Sequence, residues 1–156
     1  MEVRFREGRP EDVRALVRRA AETAWHSLPP WAQAHHTPEQ VARHVQELMA
    51  ALLRDGEGLL IVAEGPAGQN VGHVWLGLVR NSYTGARRGH IYDLYVAPAW
   101  RGRGLGRRLL AEAERLSREM GCVELGLTVA ADNAPARRLY EVAGFRVEHL
   151  IMGKRL

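Results

Sequence analysis

One cysteine, one lysine, two phenylalanines and no long apolar run are what this chain offers, and each scarcity closes off a class of protein. Cys122 has no second thiol to pair with, so an internal disulfide and a Cys-rich metal site are both excluded. Beside Gly121 it reads as a small packed residue. Lys154 stands close to the C-terminus, so no Gly-Lys-Ser/Thr loop of a nucleoside triphosphatase can be built. The longest strongly apolar run, Leu59 to Ala63, is far too short to cross a bilayer, and the charged start Met1-Glu2-Val3-Arg4-Phe5-Arg6 is no secretory leader. The expectation is a soluble, cytoplasmic protein with no membrane partner and no metal. An aromatic-and-basic recognition motif is missing too, which argues against nucleic acid as the partner.

The 156 residues are of single-domain length, and no composition shift or Pro/Ser-rich linker divides residues 1–156. A net charge of +4 and a pI near 9.8 point to an anionic partner. The basic residues are dispersed along the chain, and a phosphorylated cofactor suffices to explain them. Arginine supplies nearly all of the 22 Lys and Arg residues, a bias that carries no functional reading by itself.

Hydrophobic spacing alternates between strand and helix periods. Val3 to Arg6 reads as a first strand, and Pro10-Glu11-Asp12 opens a helix that buries Val13, Leu16, Val17, Ala20 and Ala21. A loop passes Pro29-Pro30. Thr37-Pro38-Glu39-Gln40 has the form of a capping box ahead of a second amphipathic helix, which stops at Asp55-Gly56. Leu59 to Glu64 and Val71 to Val79, joined by Gly65-Pro66-Ala67-Gly68-Gln69-Asn70, read as a hairpin. His90 to Val96 is a further strand. A helix carrying Leu105, Leu109, Ala113, Leu116 and Met120 ends at Gly121, and Val123 to Val129 alternates as a strand with two faces. Asn133 caps a short helix ending near Gly144, and Phe145 to Met152 is expected as a last strand.

The most informative segment is Leu94 to Gly106, an apolar strand that runs through Gly102, Gly104 and Gly106 directly into a helix. The first N–H groups of that helix have no intrahelical partner, and its dipole adds positive charge at the same end, so an anion is attracted there. Glycines remove the β-carbons that would keep a pyrophosphate from the backbone. Arg101, Arg103, Arg107 and Arg108 add charge. The dinucleotide pattern G-x-G-x-x-G fails, because Arg107 stands where its third glycine belongs. From this segment alone an ordinary glycine-rich turn with solvated arginines stays open as the alternative.

Two segments together resemble the GCN5-related N-acetyltransferase (GNAT) superfamily. Val96-Ala97-Pro98-Ala99-Trp100-Arg101-Gly102-Arg103-Gly104-Leu105-Gly106 is similar to the family's Val-x-Pro followed by Gln/Arg-x-x-Gly-x-Gly/Ala. Asn133-Ala134-Pro135-Ala136-Arg137-Arg138-Leu139-Tyr140-Glu141-Val142-Ala143-Gly144-Phe145 resembles its Asn-x-x-Ala-x-x-Leu-Tyr-x-x-x-Gly-Phe. The pair, in this order and separated by a helix and a strand, is specific. The resemblance implies an α/β fold with a mixed, mostly antiparallel sheet of six to seven strands and about four helices on both faces. A bulged fourth strand would splay from the fifth, with which it runs parallel. It further implies acetyl-coenzyme A as cosubstrate and an acetyltransferase that acts on an amine by direct attack in a ternary complex. A non-catalytic acyl-coenzyme A sensor is the alternative.

Carried over residue by residue, the resemblance places the pantetheine and thioester on the backbone of Leu94, Tyr95 and Val96. The pyrophosphate falls on Arg101, Gly102, Arg103, Gly104, Leu105, Gly106 and Arg107. Asn133 is an N-cap by its own chemistry and, by resemblance, a pantetheine contact. Tyr140 lies two turns on and shares its face; it resembles the tyrosine that protonates the departing thiolate. A phenol of pKa about 10 gives modest help to a thiolate of pKa about 8.5. Asp93, the only charged residue within Ile91 to Val96, is the candidate base; a water chain in that role, with Asp93 an edge or solvent-facing acid or an arginine's structural partner, is the alternative. Trp25 and Trp31 lie in the region that sets acceptor choice in this fold; they form either a pocket wall or the packing of a pinned loop. Small-molecule amines and peptide or protein amines both remain open as acceptors. Relatives that acetylate a ribosomal protein carry a glutamate where Thr128 stands here, which argues against that substrate. Only twelve residues run from Phe145 to Leu156, too few for the family's last two strands with a loop between them, so either one long strand serves or a partner chain in a homodimer completes the sheet.

Overall fold

The computed structural model describes residues 2–156; Met1, the first residue of the charged start, lies outside them. Five strands, β1 (Arg4–Glu7), β2 (Gly58–Glu64), β3 (Asn70–Arg80), β4 (Arg87–Val96) and β5 (Glu124–Leu127), lie side by side in chain order. The first four pair antiparallel and β4 pairs with β5 in parallel. Parallel neighbours need a crossover, here supplied by α4 (Leu105–Glu119). The other helices are α1 (Pro10–Ser27), α2 (Pro30–Gln33), α3 (Pro38–Arg54) and α5 (Ala134–Val142).

Both sheet faces are covered, which is why Leu59 to Ala63 is apolar without interruption. Leu60 and Val62 turn toward α1 and α3 and pack with Leu16, Ala20, Met49, Leu52 and Trp75. Ile61 and Ala63 turn the other way, into a larger core with Val74, Leu76, Ile91 and the α4 residues Leu105, Leu109, Leu110 and Ala113. Leu139 and Tyr140 bring α5 against that second core.

Local chemistry sets the helix ends. Thr37 and Gln40 form the expected reciprocal capping box, with Gln40 N–H donating to Thr37 Oγ1 at 3.2 Å and Thr37 N–H to Gln40 Oε1 at 2.9 Å. Asn133 Oδ1 accepts the Ala136 N–H at 3.2 Å and caps α5. Gly144, at φ +95°, ends the same helix in the left-handed conformation, and the next N–H, that of Phe145, donates back to the Tyr140 carbonyl at 3.0 Å. That is a Schellman closure, and it needs a glycine at its left-handed position.

Three expectations are corrected. Among the described residues the sheet has five strands instead of six to seven, and the α-helices number five because Pro30–Gln33 forms a short one inside the expected loop. Among the described residues no strand follows α5, so Phe145 to Met152 is not one. The chain beyond Gly144 stands off β5 across a groove of about 740 Å³, bounded by Leu125 to Val129 on one side and Phe145 to Ile151 on the other. Leu150, Ile151 and Met152 are exposed.

Candidate active site

The register between β3 and β4 shifts within the strands: Trp75 pairs with Asp93 while Leu76 pairs with Ile91. Tyr92 is therefore an extra residue, a bulge. Its effect on the side chains is decisive. Ile91 packs into the α4 core and Tyr92 into the α1/α3 core. Strict alternation would send Asp93 back toward α4. The bulge cancels one step, so Asp93 follows Tyr92 onto the α1/α3 face, while Leu94 and Val96 return to the α4 side. Gly77 makes room for this, since a β-carbon there would overlap the Tyr92 ring.

Beyond the bulge β4 and β5 part. Their pairing runs only from Arg88 with Glu124 to Ile91 with Leu127, leaving Tyr92 to Val96 without a neighbour on that edge. The N–H of Ala97 donates to Val71 on the β3 side at 2.9 Å. By strand alternation Tyr95 also faces β3, and the N–H groups of Leu94 and Val96 face the gap. The Val96 carbonyl accepts from Arg101 Nε at 2.9 Å.

Two of the predicted side chains meet around this gap from opposite faces of the sheet. Asp93 projects on the α1/α3 face, and Tyr140 comes from α5 on the α4 face. Burial, and the negative charge of Asp93, push the Tyr140 phenol above its usual range. The ring is held edge-on to Phe145 with centroids 5.9 Å apart, and the Schellman closure ties the backbone of the same two residues. The Gly-Phe pair thus fixes where the phenol points.

At the end of β4, Gly102 and Gly104 take φ values of +71° and +79°, and a β-carbon on either would meet nothing within 4 Å. Open space therefore lies above a run of backbone at the N-terminus of α4, where Gly104 is the N-cap. Gly106 is close-packed instead, its would-be β-carbon 3.1 Å from Leu139. Leu105 buries its side chain in the core, so only its backbone can serve the loop. Arg101, Arg103 and Arg107 are exposed around it. Arg108 turns away to the Val3 carbonyl and the Phe5 ring.

Asn133 lies at the start of α5, its Oδ1 committed to the cap. Trp25, in the last turn of α1, lines a groove between α1 and α3 whose walls include neither Asp93 nor Tyr140. Trp31, on α2, is 45% exposed. Cys122 follows α4, away from the gap, and burial pushes its thiol up. No group of three or more His, Cys, Asp or Glu among the described residues could hold a metal.

His73 belongs to none of the sequence motifs. Its side chain is fully buried, and its Nε2 lies 2.8 Å from Asp93 Oδ2. A histidine inside the apolar run Val71 to Val79 is the signal that could have drawn attention to it. His90, half-buried beside Arg88, also borders the groove next to Tyr140; burial and that arginine lower its basicity.

The model of the acetyltransferase (GNAT) family matches residues 12–145. A mycothiol acetyltransferase of Beutenbergia cavernae is 37% identical over 132 residues, covering 81% of this chain and 41% of that protein. An aminoglycoside N(6')-acetyltransferase of Stenotrophomonas maltophilia is 30% identical over 118 residues, covering 74% and 77%. A solved structure from Pyrococcus furiosus, assigned as an acetyl transferase, superposes with a TM-score of 0.82 at 29% identity over 99% of this chain and 100% of that one. The chain belongs to the GNAT family of acetyltransferases. It spans less than half the length of the mycothiol acetyltransferases it matches.

Proposed function

We propose that this chain transfers acetyl from acetyl-coenzyme A to an amine by direct attack within a ternary complex. The observation that carries the reading is the opening between β4 and β5, with free strand N–H groups along one edge and Asp93 and Tyr140 on either side. The residues fit the cosubstrate. The open space above Gly102 and Gly104 suits a pyrophosphate, and the unpaired edge of Leu94 and Val96 suits an extended amide-bearing arm.

When bound, the thioester supplies the acyl carbon and a thiolate leaving group. Asp93 accepts the proton that the amine gives up as the new N–C bond forms. The N–H of Leu94 or Val96 donates to the carbonyl oxygen as negative charge develops there. Tyr140 gives its proton to the sulfur as the C–S bond breaks, and its raised pKa keeps that proton in place at neutral pH. Cys122 takes no part.

The acceptor class is a small amine, by analogy with the mycothiol and aminoglycoside acetyltransferases among the relatives. The test is release of free thiol from acetyl-coenzyme A across a panel of aminoglycosides, amino sugars and peptide N-termini. Acceptor-dependent thiol release with acetylated product supports the reading. Tight binding of the cosubstrate with no release on any acceptor would instead establish a sensor.

A further inference from the structure

Asp93 does not stand alone in the gap. Its carboxylate is 11% exposed, and on its buried side Oδ2 lies 2.8 Å from Nε2 of His73, whose side chain is wholly inaccessible. The other ring nitrogen, Nδ1, has no hydrogen-bond partner among the described residues. These facts fix the tautomer. If Nδ1 carried the hydrogen, a buried N–H would be unsatisfied and a bare Nε2 lone pair would face a carboxylate. With the hydrogen on Nε2, the ring donates to Asp93 and only a lone pair is left over.

The ring is held from rotating. One face stacks on Tyr95, with centroids 5.5 Å apart and planes inclined by 23°, and the Arg19 guanidinium of α1 lies 3.7 Å from the centroid of that tyrosine. The titratable and charged groups around Asp93 are thus His73 from β3, Tyr92 and Tyr95 from its own strand, Tyr140 from α5, and Arg19 from α1 behind Tyr95.

We infer that His73 is the positioning residue of the reaction: its Nε2–H holds one oxygen of Asp93, so that the other is presented to the acceptor amine in a fixed direction. The inference rests on the reading of Asp93 as base. The bulge at Tyr92 makes the arrangement available, because a regular strand would turn Asp93 away from the face that His73 occupies.

Three variants of the full chain test it, assayed by thiol release on an accepted amine at pH 7. Asp93→Asn tests the underlying reading and should lower kcat at least a hundredfold. Wild-type turnover in that variant overturns the base, whatever His73 does. His73→Leu keeps the volume and removes the donor. It should lower kcat by roughly tenfold and leave KM for acetyl-coenzyme A within about twofold. His73→Gln, whose amide nitrogen reaches the place of Nε2, should return kcat to within about twofold of wild type. If His73→Leu does not fold, His73→Asn, whose amide falls short of Asp93, takes its place with the same expected loss. An inactive Asp93→Asn together with an unchanged kcat in the leucine or asparagine variant overturns the inference and leaves the base standing. A kcat that stays low in the glutamine variant also overturns it.

Discussion

Replacing Tyr140 by Phe deletes one hydroxyl and almost nothing else. The edge contact with Phe145 belongs to the ring, and the hydrogen bond from Phe145 N–H goes to the Tyr140 backbone carbonyl, so the Schellman closure survives. Stability should change by less than about 0.5 kcal/mol, the range of substitutions that leave packing and backbone intact. General-acid assistance contributes about 10²- to 10⁴-fold. The lower end applies here, because a thiolate leaves with little help, so kcat should fall about a hundredfold, or about 2.7 kcal/mol of barrier. The pH dependence is the sharper readout. Burial and the charge of Asp93 hold the phenol protonated above its usual range. The ratio of wild-type to variant kcat should therefore be flat from pH 6.5 to 9. Stopped turnover by thiol-reactive dye, together with a calorimetric affinity for coenzyme A, measures both quantities. An unchanged kcat, a loss confined to KM, or a ratio that collapses between pH 7 and 9 would refute Tyr140 as the acid.

Gly104→Ala forces a β-carbon onto a residue at φ +79°, at a conformational cost of about 1–2 kcal/mol, so Tm should fall by about 2–8 °C. The methyl would also stand in the open space above the loop, and the Kd for coenzyme A should rise about tenfold; Gly56→Ala, at φ +69° with equally open surroundings, should lower Tm alike and leave Kd unchanged. Equal affinity losses in the two variants would sever the glycine loop from the ligand. Gly77→Ala should cost about 1–3 kcal/mol by driving into the Tyr92 ring, and should lower kcat as well because the bulge that aims Asp93 is displaced; a melting-temperature loss with kcat intact would show that the bulge does not position the base. Arg6 joins Asp12 of α1, at 2.7 Å, to Glu64 of β2, at 2.6 Å. Burial raises the Asp12 carboxyl, but Arg6 and the Arg9 N–H outweigh it, and Arg6 likewise lowers Glu64. Both folded-state values lie below the unfolded ones of about 4, so this stabilisation is full above that pH and is lost as pH falls through the folded values. Arg6→Met should lower Tm by several degrees at pH 7 and progressively less at pH 4 and below; a loss that grows on acidification would contradict the sign.

Much of this was legible in the sequence because short-range rules decide it. Thr37 with Gln40, Asn133 at the head of α5, and Gly121 and Gly144 at helix ends are local devices, read from residues three to six positions apart. The uninterrupted run Leu59 to Ala63 announces a strand covered on both faces. Phe145 to Met152 failed for a nonlocal reason: alternation shows that a segment could form a strand, but a strand exists only where a neighbour accepts its hydrogen bonds. His73 escaped notice for a related reason, since its partner is twenty positions away and across a strand boundary.

The placement of Asp93 shows where periodicity misleads and why the site can exist. Reading β4 as a regular strand assigns Ile91, Asp93 and Tyr95 to one face and Tyr92, Leu94 and Val96 to the other. That would bury a carboxylate among Val74, Leu109 and Leu110, at a cost of several kcal/mol for an unpaired charge. The inserted residue at Tyr92 resolves this conflict by exchanging the faces from Asp93 onward: the acid meets the Nε2–H of His73, and Leu94 and Val96 fill the apolar side. The distortion lies next to the point where β4 and β5 separate, between Ile91 and Asp93. The irregularity that gives Asp93 a buried partner is therefore adjacent to the opening that exposes the Leu94 and Val96 N–H groups, so the proposed base and the proposed carbonyl-binding edge arise from one local event in the strand.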